Sequence, residues 1–270
     1  MKVQQVQKMH QLIAAAVAAF MAPLIHASPE LLPIPEVRDT IPAQTVIRLG
    51  TGFRAVCSKT KHVPSITASR GKPAESKSFL VSSYQSRFPQ LSFSFDGVGL
   101  TWRFDPIKGE LLDFPPEIEV PSSLSLSNSE RARLMQMLGP ALSIVMKAYT
   151  SVYGVPLIQS KQIVREFVLP PMFQGSPAWH GFLGYTPISA GEVDGRKVLI
   201  LATHGQMRTS ELNKKSGAND EIAFDSSGWE ARDTQSGLIL QSSTENKLMI
   251  NQEATGYSEI ENVACKISQH

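Results

Sequence analysis

The chain has only two cysteines, Cys57 and Cys265, and they lie near opposite ends of its 270 residues. Each sits in a segment that alternates as a strand does. Ile47, Leu49, Phe53, Ala55 and Cys57 fall on one side of an extended chain, with Arg48 and Arg54 on the other. Val263, Cys265 and Ile267 share a face, with Lys266 opposite. Both thiols are therefore expected to point inward. A bond between them would draw the first and last strands of the fold together, and closing a loop of roughly 200 residues is worth about 4–5 kcal/mol on the chain-entropy model. The other reading is two separate buried thiols. Neither cysteine opens a helix or belongs to a Cys-x-x-Cys pair, so neither has the setting of a reactive thiolate.

Which reading applies depends on the compartment, and the N-terminus speaks to that. Residues 1–11 are polar, with Lys2 and Lys8 and no acid, and residues 12–25 (LIAAAVAAFMAPLI) are apolar and uncharged. A bilayer-spanning helix needs about 20 residues, which this run lacks. The order basic, apolar, small is that of a secretory signal peptide, with cleavage expected after Ala27. Export places the cysteines where disulfides form and persist, and so favours the bond. It also accounts for the charge. The full chain has 26 basic and 24 acidic side chains; residues 1–27 carry two of the bases and no acid, which leaves 24 of each. A neutral body gives no general attraction for nucleic acid. No later apolar run is long enough to span a bilayer.

After the signal, residues 28–44 hold Pro29, Pro33, Pro35 and Pro42 and read as an extended leader, followed by a single domain over 45–270. A strand is expected at about 45–57. Residues 59–78 carry Lys59, Lys61, His62, Arg70, Lys72 and Lys77 against Glu75 alone and read as a flexible basic loop. Leu91 to Phe95 and Leu100 to Phe104 alternate about Asp96-Gly97 as a hairpin. Further short strands follow at about 165–169, 181–186, 188–193, 197–208, 221–224, 228–233, 238–243, 247–251 and 258–267. Turns are expected at Asp194-Gly195, Ser226-Ser227, Thr234–Gly237 and Thr244–Asn246. Regular short strands with tight turns make an antiparallel meander.

One helix interrupts them. Ser127 and Glu130 are spaced as a capping box, and Leu134, Met137, Leu138, Ala141, Leu142, Val145, Met146, Tyr149 and Val152 then recur every three or four residues. Gly139-Pro140 should kink the helix or split it. The fold expected is thus α+β: a curved antiparallel meander sheet covered by one long amphipathic helix. Its stripe of Leu134, Met137, Leu138, Leu142, Val145, Met146 and Tyr149 is the candidate ligand-facing surface.

Candidate chemistry is sparse. His62, His180, His204 and His270 have no metal-ligand spacing, and no Gly-x-Ser-x-Gly elbow or phosphate loop occurs. Asp225-Ser226-Ser227-Gly228 and Asp233-Thr234-Gln235-Ser236-Gly237 carry an extra residue relative to the Asp-Ser/Thr-Gly of aspartic proteases and read as β-turns. The stretch from Gly228 to Leu240 resembles a strand–turn–strand of exported proteins with a curved sheet and covering helix, such as the periplasmic lipoprotein carriers. That resemblance implies an apolar cleft between sheet and helix. The sequence therefore leads to a non-catalytic periplasmic or secreted protein without a cofactor or metal, binding a lipid-like ligand or an envelope protein. The rivals are an exported hydrolase built on His180 or His204 with Asp194 or Asp233, and a structural subunit of an envelope assembly.

Overall fold

The computed structural model describes residues 31–36, 39–42, 45–62, 75–84, 89–95, 98–105, 111–112, 117–119, 127, 129, 139, 142–144, 146–171, 177–212 and 219–269. The strands are β1 (Thr45–Val46), β2 (Phe53–His62), β3 (Glu75–Tyr84), β4 (Gln90–Phe95), β5 (Val98–Arg103), β6 (Glu117–Glu119), β7 (Pro156–Leu157), β8 (Ile163–Leu169), β9 (Trp179–Val193), β10 (Arg196–Leu212), β11 (Asn219–Asp233), β12 (Ile239–Ile250) and β13 (Glu253–Gln269). Eleven of them form one antiparallel sheet in the order β6-β5-β4-β3-β2-β13-β12-β11-β10-β9-β8, and β1 pairs with β7. Two meanders, β2–β6 and β8–β13, are thus joined edge to edge by the pairing of β13 with β2. Cys57 and Cys265 face each other directly across that seam and are bonded, with Cα atoms 4.0 Å apart.

The expected α+β class is corrected by this architecture. Among the described residues the chain is almost entirely antiparallel β, with 71% of them in strands and one helix of eight residues. Residues 142–144 and 146–149 are helical and lead into turns at 150–154. Among the described residues the sheet has no long helix to cover it and buries its own face. The Tyr153 ring shows how. It touches Phe104, at the end of β5, with centroids 6.1 Å apart, and also lies 5.1 Å from the Arg232 guanidinium of β11. Six strand spacings separate β5 from β11, about 29 Å in a flat sheet. The sheet must curl for one ring to reach both.

The turn chemistry explains the long strands. Asp194 (φ 50°) and Gly195 (φ 74°) form the tight link between β9 and β10 that the sequence predicts. At the β11–β12 turn the Asp233 carboxylate accepts from the Ser236 N–H at 2.8 Å and from its hydroxyl at 2.5 Å, so Asp233 caps its own turn as expected. The turns expected at Ser226-Ser227 and Thr244–Asn246 are not turns. Ser226 pairs with Asn246, Ser227 with Glu245 and Gly228 with Thr244. Each polar run satisfies the other across one ladder, so the chain reverses only at Asn251-Gln252. The basic loop is shortened in the same way: Lys59, Lys61 and His62 belong to β2 and Lys77 to β3, while residues 63–74 lie outside the described residues.

Along β10, alternate residues serve two cores. Leu199 and Leu201 join a large inner cluster with Phe53, Cys57, Trp102, Leu142, Met146, Tyr153, Tyr185 and Cys265. Val198 and Ile200 join a smaller outer cluster with Trp229, Ala231 and Leu240. The leader skirts the outer one. The Trp229 indole donates to the Leu32 carbonyl at 2.8 Å, and the Leu32 N–H donates to the Ser243 hydroxyl at 3.0 Å. The leader then bridges to Ala190 through Asp39, pairs with β7 through β1, and inserts Ile47 into the inner cluster.

Candidate functional site

The candidate site is set by a mismatch of strand lengths. Strands β10 and β13 are 17 residues long, about 56 Å each, whereas β2–β6 span three to ten residues. Strand β2 ends with His62 opposite Ile260, so β13 and its neighbours run on past the edge of the other meander. Among the described residues the inner face of that extension has no counterpart strand from β2–β6.

Its surface is apolar from one strand to the next. Phe167 is opposite Gly181, Gly181 opposite Met207, Met207 opposite Phe224, and Phe224 opposite Leu248. Directly opposed residues share a face, so Phe167, Met207, Phe224 and Leu248 form one transverse row across five strands. A second row lies beyond it: Trp179, opposite Leu169, stacks at a tilt against Phe224 with centroids 5.8 Å apart, and Ile222 faces Ile250. Phe167, Trp179, Met207, Ile222 and Leu248 are half-buried, and Phe224 and Ile250 are 39% exposed. The opposite face of the same strands carries His180, His204, Arg208, Asp225, Ser227 and Lys247, with Gln206 donating to Asp225 at 2.7 Å. One wall is greasy and its back is mixed, with Val164, Val168, Phe182 and Met249 among these polar groups.

Polar groups bound the wall on both sides. Towards β2, Lys61 pairs with Glu259 at 2.5 Å, the Tyr257 hydroxyl donates to the other oxygen of Glu259 at 3.1 Å, and Lys59 pairs with Glu261 at 2.6 Å. Burial pushes the Lys61 amine below its ordinary value, against the pull of Glu259. The Tyr257 phenol is pushed up to about 12 by burial and by the Glu259 carboxylate. Deeper in, Arg232 and Glu230 lie on the inner face of β11. The Arg232 guanidinium sits 4.8, 5.1 and 5.7 Å from the rings of Tyr149, Tyr153 and Tyr185. Burial works against its charge, but Glu230 and the tyrosines hold its pKa well above the ordinary value, and burial raises all three phenols.

Sequence reasoning did not find this cage. The alternation Trp229-Glu230-Ala231-Arg232-Asp233 shows that the two charges share a face. It does not show that both faces are covered, because charged alternate positions ordinarily look to water.

The predicted stripe fares differently. Leu142 (4% exposed) and Met146 (1%) are packed in the inner cluster, and Tyr149 packs against it. These three line the core and not an open cleft. Leu134, Met137, Leu138 and Val145, with Glu130, lie outside the described residues or have undescribed side chains. Of the residues in the hydrolase reading, Asp233 and His204 are not brought together: Asp233 is engaged by Ser236 and by Arg196 at 3.2 Å, opposite Val198, while His204 lies six residues further along β10 opposite Ser227. Among the described residues no cluster of His, Cys, Asp and Glu could hold a metal, and no helix is long and apolar enough to cross a membrane.

Neither a family model nor a curated protein matches the chain.

Proposed function

We propose that this is an exported, non-catalytic binding protein that takes a lipid-like, hydrophobic ligand on the inner face of the extended meander. The observation that carries the reading is the row Phe167–Met207–Phe224–Leu248. A polar protein surface seldom leaves a contiguous apolar strip unless something covers it. The Cys57–Cys265 bond supports export, since such bonds persist in oxidising compartments. The signal segment 1–27 and its cleavage after Ala27 lie outside the described residues and belong to the same proposal.

Titration with a fluorescent fatty acid tests it. The full mature chain should bind the probe saturably. Met207→Asp or Phe224→Asp should weaken binding by about tenfold or more, the equivalent of losing one buried large apolar side chain. Arg208→Asp, on the back of the same strands, should leave binding unchanged. Absence of saturable binding, or equal loss from the Arg208 change, would overturn the reading.

A further inference from the structure

The eleven-stranded sheet ends in two unlike edges. At one end β6 has only three residues, and Glu117 and Glu119, both exposed, flank Ile118. A very short, acidic edge is a recognised defence against stray strand pairing. At the other end β8 runs for seven residues, Ile163-Val164-Arg165-Glu166-Phe167-Val168-Leu169, with no proline or lysine among them. Among the described residues its one ladder is to β9, and the leader bridges to β9 above it, at Asp39–Ala190. Val164 and Val168 are 48% and 49% exposed on the back of the sheet, either side of Glu166. The outer rim of β8, among the described residues, is therefore a row of backbone donors and acceptors, with five apolar side chains of seven in the strand, that lacks the protection given to β6.

We propose that β8 is a docking edge for an extended segment of a partner polypeptide, which adds to the sheet as a twelfth, antiparallel strand. Backbone pairing supplies the affinity, and alternate side chains supply the choice of partner. Directly opposed residues share a face, so the partner strand presents an acid opposite Arg165, a base opposite Glu166, and β-branched residues opposite Val164 and Val168. A second copy of this chain does not meet that requirement. The register that pairs all of β8 with its own copy sets Glu166 against Glu166. The proposal is independent of the apolar wall, because it concerns the rim of β8 and not its inner face.

The experiment uses two synthetic peptides of identical composition. Thr-Ile-Val-Lys-Glu-Val-Thr, read antiparallel, matches both charges of β8; Thr-Ile-Val-Glu-Lys-Val-Thr opposes both. The first should bind the full chain about tenfold more tightly than the second. The double substitution Arg165→Glu with Glu166→Arg, at two exposed positions, should reverse that preference. Hydrogen exchange in the complex should show new protection at residues 163–169. Several results would overturn the proposal: neither peptide binding, both binding equally, a preference unchanged by the charge exchange, or protection confined to other strands. Self-association of the chain that is lost with Val164→Lys and Val168→Lys would also overturn it, by assigning the edge to a second copy.

Discussion

Arg232 donates through Nε to Glu230 at 2.5 Å from two positions along the same strand, and both side chains are almost completely buried. Neither charge has solvent to fall back on. Breaking a buried pair from one side strands the other charge, which costs about 3–5 kcal/mol, more than the pair itself is worth. Arg232→Ala and Glu230→Ala should each lower the stability of the chain by about that amount, read as the shift in denaturant midpoint. Arg232→Met combined with Glu230→Leu should recover much of the loss. If either single change proves neutral, the pair is not sealed from water as the structure has it.

The seam disulfide invites a direct measurement. Reduction, or Cys57→Ser, should cost about 2–5 kcal/mol, seen as a lower denaturant midpoint. The two thiols sit opposite each other in a ladder that is hydrogen-bonded on either side, so the reduced chain should keep its strand content and lose only stability. Mass spectrometry of the non-reduced protein should recover the peptides containing Cys57 and Cys265 joined.

A pH dependence follows from His62. Burial holds its imidazole below the ordinary 6.5, and among the described residues its Nδ1 has no hydrogen-bond partner. As pH falls through 6.5 the unfolded chain takes up the proton before the folded one does. The contribution to stability is thus present above 6.5 and lost as pH falls towards the folded-state value. The slope is at most about 1.4 kcal/mol per pH unit. Denaturation midpoints at about pH 7.5 and about pH 5.5 should show the decline, and His62→Gln should flatten it.

Two turn glycines separate backbone strain from collision. Gly237 has φ 71°, and a Cβ there would lie 2.4 Å from the Arg48 carbonyl oxygen; Gly195 has φ 74° and nothing within 4 Å. Gly237→Ala should cost well over about 1 kcal/mol, and Gly195→Ala nearer to the bare conformational penalty of about 1 kcal/mol. Thermal unfolding of the two variants should rank them in that order.

Much of the sheet was readable from alternation. The alternation at Phe53–Cys57 and Val263–Ile267 placed both cysteines inward, although the one strand expected over 45–57 is broken between Val46 and Phe53, and Asp194-Gly195 marked its turn. Strand length was not readable. Ser226, Ser227 and Thr244–Asn246 are turn formers by local preference, and only pairing with each other keeps them extended. The helix was overestimated because the spacing from Leu134 to Val152 describes an amphipathic face and not where it ends; Leu142 and Met146 obey it, and the chain turns at 150. The apolar wall was invisible because Phe167, Met207, Phe224 and Leu248 come from four separate segments. Only the register brings them into line.

The seam between β2 and β13 also fixes an order of events. Strand β2 is among the first parts of the domain to be synthesised, and its partner on one side is the last strand of the chain. Until the residues up to Gln269 have emerged, β2 has one bare edge and Cys57 has no thiol to meet. The first meander must wait, part-built and liable to wrong pairings, for the whole of the second to arrive. Truncation just before Cys265 removes the disulfide and half of the ladder that β13 makes with β2, from Cys265 to Gln269.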